Sequence, residues 1–476
     1  MPADDETLSE RLVRAFLTKP AAQLPDTVLR AAVDRVVDTV GVGLAGARTP
    51  AAEAVARAAL ADAGRSGVPV WGHGVRTPAR TAVLVNGTAA HALDFDDSIF
   101  GTIMHIGALV VPVALAVGEE VGATGHELLA AVACGYQVAD VLGGLAPAQF
   151  QPRGFQPSAV LGVFAGVMVA ARLRGLDAET TVDAFGLAGS MASGLMEFVV
   201  SGGDTKPLQL GWAAQSSLYA VDLAIAGARG PRTVLDGRFG IFQSFVDKTV
   251  PPDVTMWADH AILRVATKPY PVCHGIHDPA DLWLDVAQEI RDRGLDPVSD
   301  VEHLTCLVSE FTARLTLDPL PVKRRPLSAH HARFSMPYCL ARIAIDGELG
   351  LRSFRTGLLE DPAAAAFMDK IDYEVVQPGA HTDLARVGLR VRLAGGEVLE
   401  RFLERARDAR QDLFGPAELR DKFRQTTGGH GEPDAALAAA TAIHEENDAS
   451  AFFAWLGGRG HPVATDRPEP EGAAGN

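Results

Sequence analysis

The sequence predicts a mainly α fold, a large all-helical domain interrupted by a smaller α+β lid domain. Three observations predict it. Residues 6 to about 230 read as helix after helix, with apolar positions recurring at helical spacing. Aromatic residues make up only 6% of the chain while glycines number 48, which favours closely approaching helices over an aromatic-rich β sandwich. Strand-like alternation begins only after residue 300, and helical patterning returns near residue 416. The 476 residues allow two to four domains at roughly 150 residues each, and the 47% hydrophobic content can fill a large core.

The elements follow in order. Residues 27–47 place Val28, Ala31, Ala32, Val36, Val37 and Val40 at helical spacing, with charges on the other face. Residues 80–92 and 106–121 are more uniformly apolar, as helices buried on most sides should be. Thr124 and Glu127 form a capping-box signature that opens a helix running through Gly135 and Val138. Residues 158–172 continue the buried pattern. A helix over 211–227 is stopped by Gly230 and Pro231. Pro269 and Pro271 then break helical character. Beyond them come a helix at 279–292, strands at 302–308, 387–393 and 397–402 around the turn Gly395-Gly396, and an amphipathic helix at 331–345. Helices return at 416–425, 433–446 and 449–456. The expected domains are therefore a helical domain built from 1–267 and 403–460, a lid domain from 268–402, and a disordered Pro/Glu/Gly-rich tail from 461–476. Two lobes imply a cleft, the usual seat of a small-molecule site.

Charge and cysteine usage narrow the function. Lys+Arg total 43 against 59 Asp+Glu, a net charge of −16, which argues against nucleic acid or an anionic membrane as the main partner. An anionic substrate would then need a local cluster of cations. Cys134, Cys273, Cys306 and Cys339 are far apart with no CxxC pair, which fits neither a zinc knuckle nor a disulfide scaffold and suggests a reduced compartment. The first ten residues are acidic and lack an apolar core, so no secretory signal is expected. The continuous apolar run 106–118 falls short of the ~20 residues needed to span a bilayer. These features together point to a cytoplasmic protein with no membrane partner.

Four clusters could carry chemistry. His91, Asp94, Asp96, Asp97 and Ser98 lie together, with His105 soon after. Three carboxylates within four residues repel one another unless something offsets them, and a carboxylate beside a histidine can orient it and stabilise its charged form. The plain alternative is a helix end with solvated acids. Lys206 lies in a glycine-containing turn that lacks Walker A order, where a surface lysine on a helix–helix loop is the plain alternative. Lys268, Cys273, His274 and His277 follow at the expected lobe boundary. The two histidines have i, i+3 spacing, but no HExxH surrounds them, so no metal is expected. His330, His331, Arg333 and Tyr338 lie on the insert, where a tyrosine on an apolar helix is more often core than acid. Gln156 sits in a loop that opens a buried helix, and residues 236–240 read as a turn.

In this order the motifs resemble the MmgE/PrpD family, which includes 2-methylcitrate dehydratase, cis-aconitate decarboxylase and iminodisuccinate epimerase. The carriers are the His91–Ser98 motif, Gly154-Phe-Gln-Pro157, Asp204-Thr-Lys-Pro207, the segment 230–240, Lys268-Pro-Tyr-Pro271 and Phe334-Ser-Met-Pro-Tyr338. The resemblance spans residues 8–456. It implies a helical domain split by a lid, a homodimer, no metal and no organic cofactor. By the same resemblance, Asp94, Ser98, His105, Lys206, Lys268, His277 and Tyr338 would line the site, acting on a small carboxylate. Two positions depart from the family pattern, with Gln156 and Gln209 standing where relatives often carry histidine. Glutamine cannot carry a proton or a positive charge near neutral pH. The departures suggest a substrate with less negative charge than citrate-like acids.

The family's shared step is proton movement next to a carboxylate. Lys206 and Lys268 are assigned to the carboxylate and enediolate oxygens, and His105 is the candidate acid or base with Asp94 orienting it. Tyr338 would hold a leaving hydroxyl, while Ser98, Gln156, Gln209 and His277 would contribute binding contacts. The expected activity is dehydration of a 2-methylcitrate-like hydroxy acid, with epimerisation or decarboxylation as alternatives. Two readings come from other classes. Asp94 to Asp97 fits the DxDD motif of class II terpene cyclases, although 6% aromatic content is thin for walls that stabilise carbocations. A non-catalytic binding protein is the other, and the two glutamines are its best support.

Overall fold

The computed structural model describes residues 6–61, 66–99, 101–102, 104–251, 253–256, 259–376, 387–403, 414–428 and 432–458. The tail 461–476, expected to be disordered, lies outside the described residues. The fold is mainly α with a smaller sheet-containing region. Two buried cores organise it. The larger runs from Leu8 to Ile262 and is completed by Leu419, Phe423, Phe452 and Trp455 from the last helices. The smaller gathers Val272 to Leu399 and also takes in Phe198 and Val199.

Local sequence explains why the helices start where they do. Thr124 caps Gly125–Leu145 and forms a capping box with Glu127, and Thr7 does the same with Glu10 for Leu8–Phe16. Gly125–Leu145 is long and apolar enough to cross a membrane, but 83% of its apolar window is buried inside the helical lobe. The last helices return to the first. Lys422, on Pro416–Thr427, reaches Asp38 Oδ1 at 2.7 Å and donates to the Phe95 carbonyl at 2.8 Å.

One helix crossing matters most for the site. Gly211 on Thr205–Ile225 lies against Ala79–His91 so closely that a Cβ there would collide with the Leu84 carbonyl and the Thr88 hydroxyl. The contact needs glycine, and it brings the start of one helix, with Lys206, to the end of the other, just before Asp94. A short antiparallel pair then ties the lobe junction down, with Ser98 opposite Ala266 and Ile99 opposite Val265. Lys268 follows two residues after that ladder.

The lid carries a four-stranded sheet in the order Ile371–Val375, Val301–Val308, Gly388–Leu393, Val398–Phe402. The first pair is parallel and the other two are antiparallel. Helices His277–Asp292 and Met336–Asp346 belong to the same core. Two helices expected as single runs are split. The 331–345 region is a short Ala329–Ala332 turn and then Met336–Asp346, because Ser335 caps the second helix and Pro337 occupies its first turn. The 158–172 region is Pro157–Val160 followed by Gly162–Leu173. The strand Ile371–Val375 had no clear signal in sequence: only Ile371 in its five residues is buried, so alternation is faint.

Candidate active site

A cavity of about 390 Å³ opens where the two lobes meet. Asp94, Ser98, His105, Gln156 and Lys206 line it, together with lid residues that include His274, Asp278 and Phe311. Asp94 is its electrostatic centre. Its backbone adopts φ 50°, a left-handed conformation that aspartate tolerates better than most residues. One carboxylate oxygen is paired with Lys206 Nζ. The other lies 3.1 Å from Lys268 Nζ, which also donates to the Asp94 carbonyl at 2.9 Å. Burial would push the Asp94 carboxyl up, but the two ammonium groups hold it well below the usual carboxylate range. The lysines come from chain positions far from each other and from Asp94, and they converge on one carboxylate.

His105 is oriented by the backbone. Its Nδ1 lies 2.9 Å from the Asp97 carbonyl, which can only accept, so Nδ1 carries the hydrogen and Nε2 keeps its lone pair. Its amide donates to Ser158 Oγ at 2.9 Å. Burial, then Lys268 and Lys206, hold the imidazole well below its ordinary value, so it stands neutral at pH 7. The expectation that Asp94 orients His105 is corrected: Asp94 is occupied by the lysines, and the orienting group is the Asp97 carbonyl. The Asp97 side chain is a brace. It accepts from the Gly107 amide at 3.1 Å and from the Tyr136 hydroxyl, and burial raises it to about 6.

Beside this lies a pair that sequence reading had left without a role. His91 Nδ1 lies 2.8 Å from Asp96 Oδ2, with both side chains fully buried. Burial would raise Asp96, but His91 holds it below the usual range; burial in turn lowers His91, so the pair stands as carboxylate and neutral imidazole at pH 7. His91 Nε2 faces Gln156 Nε2 at 3.4 Å, and the His91 and His105 ring centroids are 5.2 Å apart. The signal was available in sequence as a histidine five residues before an aspartate across a helix end. Spacing alone does not say which of three acids it meets. His330, on the lid, also faces this group. Burial, then Lys206, lower it to about 3.

Not every expected residue reaches the cavity. Lys268 is 1% exposed and sits behind Asp94 rather than on the cavity wall. Tyr338 is placed in the lid core, where its hydroxyl donates to the Ser353 carbonyl at 2.7 Å and its ring packs on Phe354. It is therefore not placed to hold a leaving hydroxyl. Gln209 donates to the Leu195 carbonyl at 2.8 Å and supports the loop before its own helix. His277 stacks on His274, and it is His274 that reaches the wall.

Ligand atoms of His91, Asp94 and Asp96 lie within 4.8 Å of one another, close enough to consider a metal. The chemistry fits poorly. Both Asp94 oxygens already face ammonium groups, and Asp96 Oδ2 faces the hydrogen on His91. A dication there would be repelled by two lysines.

Residues 10–252 match the MmgE/PrpD N-terminal domain and residues 270–446 match the MmgE/PrpD C-terminal domain. The chain belongs to the MmgE/PrpD family. It is 27% identical to the cis-aconitate decarboxylase of Homo sapiens over 379 residues, covering 78% of this chain and 77% of the relative. It is 25% identical to the cis-aconitate decarboxylase of Aspergillus terreus, covering 70% of each chain. It is also 25% identical to the cis-aconitate decarboxylase-like protein oryM of Aspergillus oryzae, over 74% of this chain and 76% of that one. In this family member the gap between the two matched regions ends just before Tyr270, so Lys268 falls between them, at the lobe junction that brings it to Asp94.

Proposed function

We propose that this MmgE/PrpD protein is a lyase that moves a proton at the carbon next to a carboxylate, using its own side chains. The observation that carries the reading is the convergence of Lys206 and Lys268 on Asp94 in the cavity where neutral His105 keeps a lone pair on Nε2. A substrate carboxylate docks against Lys206 and shares the positive field with Asp94. His105 Nε2 takes the proton from the adjacent carbon, and the electron pair moves onto the carboxylate as an enediolate. Preorganised ammonium groups in a water-poor cleft stabilise that charge better than water does. For a β-hydroxy acid the electrons then return to form the C=C bond, the C–O bond breaks, and imidazolium His105 gives its proton to the leaving hydroxide. Water and an unsaturated acid leave, and His105 is neutral again. Tyr338 is committed to the lid core, so His105 serves as both base and acid in this scheme.

Dehydration of a hydroxy acid, as expected from sequence, is the first reading. Decarboxylation is the second, supported by the names of the relatives. There His105 first takes up a proton from solvent, the C–C bond to CO2 breaks, and the resulting carbanion takes that proton, so one solvent proton is consumed per CO2 released and His105 is neutral again. The terpene-cyclase reading loses support, because Asp96, the central acid of its motif, is held ionised by His91 and is no proton donor.

The test is NMR in D2O with a panel of hydroxy and unsaturated carboxylic acids. Deuterium should enter at the carbon next to the carboxylate with the native protein. His105→Ala should lower exchange by at least ~100-fold. Undiminished exchange in that variant removes His105 from the mechanism, and no exchange with any acid removes the lyase reading.

The homodimer expected from sequence remains part of this proposal. Trp212, Tyr219 and Leu223 form an exposed apolar stripe at helical spacing on Thr205–Ile225, the helix that also carries Lys206.

A further inference from the structure

We infer that the acid taken by this site carries one carboxylate, a neutral hydrogen-bond donor directed at Gln156, and an apolar remainder. The inference rests on the lyase reading above and narrows its substrate class.

The charge count comes first. Lys206 lines the cavity and Lys268 lies buried behind Asp94, while Arg333, also buried, is committed to the Pro271 carbonyl at 2.7 Å and to the Phe354 ring. Asp94 and Asp96 are buried carboxylates at the same place. His91, His105 and His330 are neutral at pH 7 and add no charge. Among the described residues, two ammonium groups meet one carboxylate at Asp94 itself, which leaves one net positive charge in that contact, enough for one carboxylate. Among the described residues the cavity wall carries no lysine or arginine besides Lys206, so a second or third substrate carboxylate would be buried without a counter-charge, which is costly.

The hydrogen-bond chain decides the second point. With its hydrogen on Nδ1 pointing at Asp96, neutral His91 can only accept at Nε2. The neighbouring Gln156 atom must then be the amide nitrogen, as placed, 3.4 Å away. That leaves Gln156 Oε1 buried without a hydrogen-bond partner, on a side chain 4% exposed that lines the cavity. A buried, unpaired carbonyl oxygen calls for a donor, such as the hydroxyl of a hydroxy acid, and disfavours a carboxylate. The Asp96–His91 pair therefore sets the specificity of a residue it does not itself expose to the ligand.

The third point is the wall. Met196, Phe198, Val199, Phe311, Leu315 and Val387 give the cavity a large apolar surface. Its volume of about 390 Å³ is within the range that takes drug-sized ligands, so there is room beyond a compact polar acid.

The experiment is calorimetric binding on the full chain, run beside D2O exchange. The probes are a series of hydroxy monocarboxylic acids with lengthening alkyl chains, their deoxy analogues, and citrate, 2-methylcitrate and cis-aconitate. Affinity should rise roughly fourfold per added methylene over the first few carbons. The tricarboxylates should bind at least ~100-fold more weakly than the best monocarboxylate, because each extra carboxylate would be buried without a counter-charge. In Gln156→Leu the preference for hydroxy over deoxy acid should vanish while the chain-length trend persists. A flat chain-length series, a tricarboxylate as the tightest ligand, or an unchanged hydroxy preference in Gln156→Leu would each overturn the inference. The two proposals fail separately. Tight monocarboxylate binding without any exchange sinks the lyase reading alone, and exchange confined to tricarboxylates sinks the substrate class alone.

Discussion

Replacing Asp94 with asparagine should destabilise the protein by about 3 kcal/mol, at the lower end of the range for removing one partner of a buried ion pair. Asparagine keeps the size and tolerates the left-handed backbone at φ 50°, so the change isolates the charge. Two ammonium groups lose their carboxylate together. Neither is left bare: Lys268 keeps the Asp94 carbonyl at 2.9 Å, and Lys206 lies 4.8 Å from the centre of the Phe334 ring. Those residual partners are why the lower end applies. The assay is urea unfolding of native and variant chains across pH. Asp94 has a folded pKa lowered below its unfolded value of ~3.9, so its contribution is fully present above that pH. It is lost as the pH falls through the lowered folded value. The gap between native and variant should therefore be widest near neutrality and shrink only below about pH 4. A gap under ~0.5 kcal/mol at pH 7, the scale of an ordinary surface change, would refute the claim that this carboxylate neutralises two buried cations.

Other expectations follow from the same geometry. Because burial and the lysines hold His105 well below its ordinary value, the acid limb of kcat/KM should fall clearly below the ~6.5 of a free imidazole; a limb at or above that value would contradict a neutral base. Tyr338→Phe removes the bond to the Ser353 carbonyl and should cost about 1 kcal/mol in urea unfolding with kcat changed less than ~3-fold, whereas a ~100-fold loss of kcat would return Tyr338 to the chemistry. Gly211→Ala overpacks the crossing against the Leu84 carbonyl, so about 1–3 kcal/mol of stability should go, with KM raised because Lys206 moves with its helix. Trp212→Asp should shift the mass seen by light scattering from dimer to monomer, and an unchanged mass would show that the exposed stripe is no interface.

Much of the helical part was legible along the chain. The capping box at Thr124 and Glu127 was readable because its partners are three residues apart and the interaction is local. The strand Ile371–Val375 was not, since it is held by pairing with Val301–Val308 rather than by its own pattern. In the site, residue types announced the chemistry but not the pairings. Asp94, Asp96 and Asp97 are near neighbours in sequence with three different fates: one neutralises lysines, one holds His91, and one braces a helix start and its own hydroxyl partner. Nothing in the motif distinguishes them. Tyr338 was assigned to chemistry through resemblance, and only the packing of the lid shows its hydroxyl already engaged.

By itself the sequence determined the mainly α class, the family, and the supply of two lysines, a histidine pair and a dense acidic turn. Those rest on periodicity, capping and residue identity, which are local. Tertiary structure decided which charge meets which. Asp94 and Lys206 are 112 positions apart, and Asp94 and Lys268 are 174 apart. They meet because one glycine lets two helices touch and a two-residue ladder ties the lobe junction to the acidic turn. Coulomb energy depends on distance and surrounding dielectric, and both are set only when remote segments close around the same small volume.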